Sequence, residues 1–287
     1  MKRSALTLAI MIGTIVAFAQ QKKTAFNSMN RNSQSKFLDK QWWLGFKAGA
    51  NLSNPVPIKR YAVVTPTNYS LASMEKQYDH FNKAGMQATL EVTFAFKNFS
   101  VSAQPTYRSS KFTYANDMDW RNPENAEEHL SLHFDQEQQI DFADLPLVVK
   151  YEVMGFKLRP YVQLGIFYSI LLNASKSITV SGTDYASGGT NNFKNEPVIV
   201  GAKDLFTNYW GLIGGAGVNY NLGNVRLVLD VSYRHGISNI TNIENRFSND
   251  RLSGVGEAMD DLKLHNLVFS AGCLFPLRFL SKNYAAD

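Results

Sequence analysis

Alternation of apolar and polar residues is the dominant pattern in this chain. From Ala84 to Phe96 the even positions are apolar, whereas the odd positions from 85 to 93 carry Gly, Gln, Thr, Glu and Thr. A period of two predicts a β-strand with one apolar face. The pattern resumes from Phe99 to Arg108, which predicts a hairpin with its turn at Lys97-Asn98.

The same period recurs in six further segments, giving eight predicted strands. The six lie at residues 42–52, 140–152, 158–170, 210–220, 225–234 and 266–275. In the first half of the 140–152 segment, Ile140 and Phe142 fall out of phase with Leu145 and Leu147, which predicts a β-bulge near residues 141–144. Short turns follow the second, fourth and sixth strands, whereas long polar stretches follow the first, third, fifth and seventh.

This arrangement predicts an all-β fold, an eight-stranded antiparallel transmembrane β-barrel at residues 42–280 with short periplasmic turns and long extracellular loops. The alternative is a soluble barrel of the lipocalin kind. Strands that alternate over ten or more residues favour the membrane, because soluble strands average about 5–6 residues. Aromatic residues near both ends of the strands are typical of the two lipid interfaces. They are Trp42, Phe96, Phe99, Tyr151, Tyr220 and Phe275 at the short-turn end, and Tyr107, Tyr168, Trp210 and Tyr233 at the other.

The N-terminus predicts export. Lys2 and Arg3 precede an apolar run from Ala5 to Ala17, and Ala17-Phe18-Ala19 supplies the small residues that a signal peptidase reads. We therefore expect a signal peptide at residues 1–19, a polar periplasmic tail at 20–41 and a C-terminal tail at 281–287. The predicted localisation is the outer membrane.

The composition of the chain argues against several kinds of site and partner. One cysteine and five histidines in 287 residues argue against a disulfide framework, a zinc cage and a resident cofactor. Without Lys2 and Arg3, 27 basic residues face 24 acidic ones, a formal net charge of +3. This mild excess argues against a nucleic-acid partner.

Charged side chains on the polar face of the strands predict an ion network inside the barrel. The lumen of eight strands is filled by side chains or holds one small ligand, so we expect a structural plug rather than a general pore. An ion path or a ligand site is the alternative. The predicted set contains Lys47, Glu91, Arg108, Asp144, Lys150, Glu152, Arg159, Arg226, Asp230 and Arg234.

Catalysis is not expected. His129, His133, His235 and His265 are candidate bases, but no serine is marked as their nucleophile. Residues 115–139 hold seven acids and one base, which predicts a solvated acidic loop. The alternative for this segment is a divalent-cation site that includes Asp117 and Asp119. Residues 175–195 are rich in Ser, Thr, Gly and Asn, which predicts a flexible loop or an extended hairpin.

Five motifs, in order, resemble a known family. They are WLGFKAGANLSN (43–54), FADLPLVVKY (142–151), RPYVQLGIFY (159–168), WGLIGGAGVNY (210–220) and DVSYRHGISNI (230–240). Together they resemble the PorT-type outer-membrane β-barrel family of Bacteroidetes over residues 42–279, although an arginine expected near Ser232 is missing. The resemblance implies a non-enzymatic accessory role in type IX protein secretion and gliding.

Other roles and several partners complete the expectations. The alternative functions are a surface binding or adhesion module that acts through the long loops, and a narrow channel. The expected partners are outer-membrane lipid and lipopolysaccharide, the barrel-assembly machinery and secretion-system components. We expect a monomer.

Overall fold

The computed structural model describes residues 40–61, 75–125, 127–153, 157–186, 191–250 and 255–277. The predicted signal peptide, most of the predicted N-terminal tail, the turn at 154–156 and the C-terminal tail lie outside these ranges. Among the residues that the structure describes, no helix is long and apolar enough to cross a membrane. The elements are β1 (Lys40–Lys59), β2 (Gln77–Tyr78), β3 (Ala84–Phe96), β4 (Phe99–Ala103), β5 (Thr106–Arg121), β6 (His129–Glu152), β7 (Leu158–Asp184), β8 (Asn191–Lys194), β9 (Val198–Gly201), a 3₁₀ turn (Lys203–Leu205), β10 (Tyr209–Leu222), β11 (Val225–Gly236), β12 (Phe247–Asp250), β13 (Val255–Ala258) and β14 (Asp261–Pro276).

Eight antiparallel barrel positions, which we call staves because one of them is made of two strands, close into a ring. This ring confirms the predicted fold. The ring runs β1, β3, β4 with β5, β6, β7, β10, β11 and β14, and β14 pairs back to β1. The third stave is made of two strands because Gln104-Pro105 interrupts it, and proline cannot donate to the ladder. Lys97 and Gly223 take positive φ values of 55° and 62° in the two-residue turns after β3 and β10. The first stave begins at Lys40, so residues 40 and 41 of the predicted tail belong to the barrel.

The apolar face of the staves points outward. All ten aromatic residues of the two predicted interface sets are on this surface, with exposed fractions between 38% and 57%. Leu90, Leu164 and Leu229 lie between the two sets and are exposed by 61–71%. An exposed apolar band of this kind, bordered by aromatic rings, is the surface that a membrane-spanning barrel presents to lipid.

Three staves continue far beyond the lipid-facing band, where long loops were predicted. Residues 106–121 of β5 pair with residues 129–144 of β6, and residues 130–140 of β6 pair with residues 174–184 of β7. The predicted acidic loop and the first part of the segment 175–195 are therefore strand, and the connection between β5 and β6 shrinks to residues 122–128. With β2, β8 and β9, these extensions form a protruding sheet, which we call the extracellular sheet.

The predicted bulge was assigned to the wrong strand. Residues 134–152 of β6 keep one alternation throughout, and Ile140 and Phe142 are buried inside on the same side as Asp144. The register shift beside Asp141 instead leaves Leu172 of β7 without a partner on β6. Ile140 and Phe142 are out of phase because the apolar residues of β6 change from the outer to the inner face where the strand leaves the bilayer.

Gly217 of β10 provides a test of how tightly the lumen is packed. A Cβ atom built on Gly217 would lie 2.5 Å from the ring of Tyr161 and 2.6 Å from the carbonyl oxygen of Leu229. We expect Gly217→Val to lower the free energy of unfolding by about 1–3 kcal/mol, the usual cost of overpacking. Urea unfolding in detergent micelles measures this change. Gly201→Val is the control, because nothing lies within 4 Å of its Cβ position. Equal stability of the two variants would contradict a filled lumen.

Candidate functional site

The middle of the lumen holds an ion network built on Glu91. Its carboxylate lies 2.8 Å from the ammonium group of Lys47 and 2.5 Å from that of Lys150. Lys47 also contacts Asp230 at 2.9 Å, and Asp230 accepts hydrogen bonds from Tyr161 (3.2 Å) and Ser270 (2.6 Å). The two carboxylates therefore share Lys47 and are both neutralised.

Toward the extracellular end, a second network is centred on Asp144. Arg108 donates two hydrogen bonds to this carboxylate, from Nε at 2.7 Å and from Nη2 at 3.1 Å, and Arg234 forms a further ion pair with it. Ser169 donates to the same carboxylate at 2.6 Å, and the Tyr209 hydroxyl accepts from Arg108 at 2.7 Å. Fork-to-carboxylate pairing of this kind fixes geometry as well as charge.

Toward the periplasmic end, Glu152 anchors a third network. Arg159 and Arg226 contact its two carboxylate oxygens at 2.9 and 3.0 Å. The guanidinium of Arg226 also lies 4.2 Å from the ring centre of Trp43, a cation–π contact. The structure thus places all ten predicted lumen residues inside the barrel, and it groups them into three layers along the axis. All except Arg159 are buried.

A further set of buried charges, which the sequence analysis did not single out, lies in the extracellular half of the molecule. Lys76 donates to the carbonyl oxygen of Ala258 at 2.7 Å and contacts Asp260 at 3.4 Å, while Lys176 contacts Glu257 at 3.1 Å. Tyr114 donates to Glu257 at 2.9 Å. The contacts of Lys76 join the first long connection to Ala258 and Asp260 in the last one, and the contacts of Glu257 join that last connection to β5 and β7. Lys76 and residues 257–260 lie in connections that carry no predicted alternation, and Tyr114 and Lys176 lie in segments that were predicted as loops, so this layer was not predicted from the sequence.

The four candidate bases lie against other rings or between carboxylates. His129 stacks on Tyr185, and His235 stacks on His265. His133 lies between Asp117 (2.5 Å) and Asp135 (3.2 Å). In the part of the chain that the structure describes, no serine hydrogen-bonds to any of these imidazoles, and no cluster of three or more His, Cys, Asp or Glu residues has an arrangement that could hold a metal ion. Asp119 accepts from Ser131 at 2.7 Å.

His133 provides a pH-dependent prediction for the extracellular sheet. The hydrogen bond with Asp117 raises the pKa of His133. Partial burial opposes this shift, and the charge of Asp135 adds to it. The ion pair therefore stabilises the fold below the ordinary pKa of histidine, and this contribution is lost as pH rises through the raised pKa. It is small because both side chains are about half exposed. We expect Asp117→Asn to lower the pKa of His133 in an NMR titration, whereas Asp119→Asn leaves it unchanged. An equal change in both variants would contradict the pairing.

The closed ring, the outward apolar band and the filled polar interior define an integral outer-membrane β-barrel. A comparison with family models agrees: residues 18–242 match the outer membrane protein beta-barrel domain, and the chain belongs to this family. Its place is therefore the outer membrane. A comparison with curated proteins finds no match.

Several solved structures of small barrels are similar to this chain at low identity. Neisserial surface protein A is 10% identical, with a TM-score of 0.35, 82% of this chain covered and 96% of that one. The attachment invasion locus protein of Yersinia pestis, in complex with a heparin analogue, is 12% identical, with a TM-score of 0.29 and coverages of 82% and 99%. Outer membrane protein W of E. coli is 14% identical, with a TM-score of 0.30 and coverages of 83% and 98%.

Proposed function

We propose that this protein is a non-enzymatic surface-binding module of the outer membrane, which holds a positively charged partner on its extracellular sheet. The sheet is the observation that carries the proposal. The ladder between residues 130–140 and 174–184 adds about 35 Å of strand at about 3.3 Å per residue. A strand needs only about 9–11 residues to cross the bilayer, whereas β6 and β7 have 24 and 27.

The outward face of the extracellular sheet is acidic. Asp117 and Asp119 on β5 share this face with Asp135 and Glu137 on β6. His133 lies between Asp117 and Asp135, and Lys83 and Lys111 pair with Glu137 at 3.0 and 3.7 Å, so four acids face two lysines. The paired positions of β7 carry hydroxyl side chains at Ser177, Thr179 and Ser181. A trough of about 410 Å³ crosses this face, and its lining includes three acids (Asp79, Asp135 and Glu137), one lysine (Lys83) and the hydroxyl side chains of Thr113 and Thr179. Carboxylates and hydroxyls on an open face suit a partner that carries ammonium or guanidinium groups.

A deletion strain tests the proposal when it is complemented with wild type or with the variant Asp117→Asn/Asp119→Asn/Asp135→Asn/Glu137→Gln. Cells are scored for adhesion to immobilised basic proteins and for the amount of secreted protein. We expect wild type to restore adhesion and the variant not to restore it. The control, Glu124→Gln/Glu127→Gln/Glu128→Gln/Glu244→Gln, removes the same charge away from the face and should restore adhesion. Adhesion that is unaffected by the deletion would refute surface binding.

The resemblance to the PorT-type family supports a second proposal, an accessory role in type IX secretion. The support is the order of the five strand motifs between residues 43 and 240. The same strain tests it. A deletion that lowers the amount of secreted protein, with full rescue by the acidic-face variant, would favour this role over surface binding.

A narrow channel is the third function considered, and the filled lumen argues against it. Three layers of paired charges and the apolar side chains beyond them occupy the barrel interior. We expect the purified protein in a planar bilayer to show no steady ion conductance, because a filled eight-stranded lumen leaves no continuous water column. A steady conductance whose ion selectivity changes in the variant Glu91→Gln would contradict the hypothesis that the lumen is plugged.

A further inference from the structure

Three histidines and a lysine gather on the outer surface of the barrel, just beyond the lipid-facing band. His235 of β11 is paired with His265 of β14, and their rings stack with centres 4.4 Å apart and an angle of 8°. His265 is also paired with Asn54 of β1, whose side-chain oxygen lies 2.5 Å from Nδ1 of His80. Lys263 precedes His265 by two residues and therefore lies on the same face of β14. We call these four residues the rim patch.

The depth of the rim patch matches that of lipid headgroups. Two residues nearer the membrane on the same strands, Tyr233 and Leu267 form a pair, and Leu267 pairs with Leu52. Tyr233 is one of the outward aromatic residues that mark the extracellular interface. Two residues along a strand correspond to about 7 Å. The patch therefore faces sideways into the layer where outer-leaflet phosphates lie.

The rim patch contains one fixed positive charge, that of Lys263, and none of its four residues is an acid. The nearest acid on the same face of β14, Asp261, accepts hydrogen bonds from Arg246 (3.2 Å), Asn239 (3.0 Å) and Tyr61 (3.3 Å). Asp79, next to His80, accepts from Asn82 and Thr113. Within the part of the chain that the structure describes, Lys263 forms no ion pair. Lys263 is therefore free to pair with an anion that the protein does not itself supply.

Phosphate has the chemistry that this arrangement would recognise. Nδ1 of His265 accepts a hydrogen bond from the backbone N–H of Gly236 at 3.2 Å, so His265 supports the stacked ring of His235 without donating from that nitrogen. His265 is largely covered and holds the exposed ring of His235 in place. His235, His80 and Lys263 are left to donate outward.

We propose that the rim patch binds the phosphate monoester of a lipid headgroup in the outer leaflet, a group whose negative charge is not offset by a headgroup cation as it is in phosphatidylcholine. His80, His235 and Lys263 donate to the phosphate oxygens, and His265 is a positioning residue. The sideways orientation toward the bilayer favours a lipid over a soluble anion. The inference goes beyond surface binding and does not depend on it, because no protein partner takes part.

Nanodiscs test the proposal through thermal unfolding of the full chain. The barrel is placed in phosphatidylcholine alone, or with added lipid A in its phosphorylated or dephosphorylated form. We expect phosphorylated lipid A to raise Tm more than the dephosphorylated form does. The difference should be larger at about pH 5.5 than at about pH 8, because histidines gain their charge between these values.

Two variants complete the test. The variant His80→Gln/His235→Gln/Lys263→Gln should lose most of the phosphate-dependent rise while keeping the wild-type Tm in phosphatidylcholine alone. The matched control, Lys97→Gln/His129→Gln/His133→Gln, removes one lysine and two histidines outside the rim patch and should keep the rise. Equal stabilisation by both forms of lipid A, or an unchanged rise in the patch variant, would overturn the proposal. Complete reversal by millimolar inorganic phosphate would overturn the choice of a lipid.

Discussion

Replacing Asp144 with asparagine is expected to lower the free energy of unfolding by about 3–5 kcal/mol, the usual cost of breaking a buried ion pair. Asp144 is the carboxylate that Arg108 and Arg234 share. Both guanidinium groups are buried, so the amide would leave two desolvated positive charges without a counter-ion. Urea unfolding in detergent micelles, followed by tryptophan fluorescence, measures the change.

Two further variants separate the loss of charge from a general disturbance. Asp119→Asn removes an acid from the exposed face of the extracellular sheet and should leave stability nearly unchanged. Adding Arg108→Met and Arg234→Met to Asp144→Asn removes the stranded cations and should recover part of the lost stability. If Asp144→Asn unfolds at the same urea concentration as Asp119→Asn, the buried network does not stabilise the barrel.

Leu229→Arg is expected to lower the free energy of unfolding by about 2–4 kcal/mol in lipid. Leu229 lies near the middle of the lipid-facing band on β11 and is 63% exposed. In a bilayer this exposure is contact with hydrocarbon, which cannot solvate a guanidinium group. Leu90→Arg on β3 should behave in the same way. Urea unfolding from lipid vesicles measures both changes.

Ile199→Arg is the matched control for the lipid face. Ile199 is 72% exposed on β9, which belongs to the extracellular sheet, so an arginine there meets water. We expect its stability to remain close to wild type. Thr89→Ala on the lumen face should also cost much less than Leu90→Arg. If Ile199→Arg and Leu229→Arg destabilise the chain equally, the band on β11 does not face lipid.

Much of the barrel could be predicted because alternation is a local property. The residues of β3 and β11 show which side chains share a face, and the ten lumen charges follow directly from that parity. The alternation of short and long connections predicted the antiparallel strand order. It also predicted which end of the barrel carries the short turns and which carries the long connections. These features depend only on neighbouring residues, so one sequence is enough to predict them.

The extracellular sheet could not be predicted in the same way, because its strands change environment along their length. In the bilayer, apolar side chains such as Leu147 face outward to lipid; above it, Phe134 faces inward while Asp135 faces water. On β6 the hydrophobic phase inverts, so a continuous strand resembles a bulge followed by a polar loop. On β7 the extra residue, Leu172, instead moves the side chains that follow it to the opposite face of the strand.

The sequence by itself determined the number of membrane-crossing staves, their lipid-facing sides and the set of charges that point inward. Only the tertiary structure decided which of those charges meet. Lys47 and Asp230, 2.9 Å apart in the lumen, are 183 residues apart in the chain. The stagger of the closed ring sets such contacts across the lumen. Each stave contributes its own alternation, but the relative height of two staves depends on the register of all the strands between them.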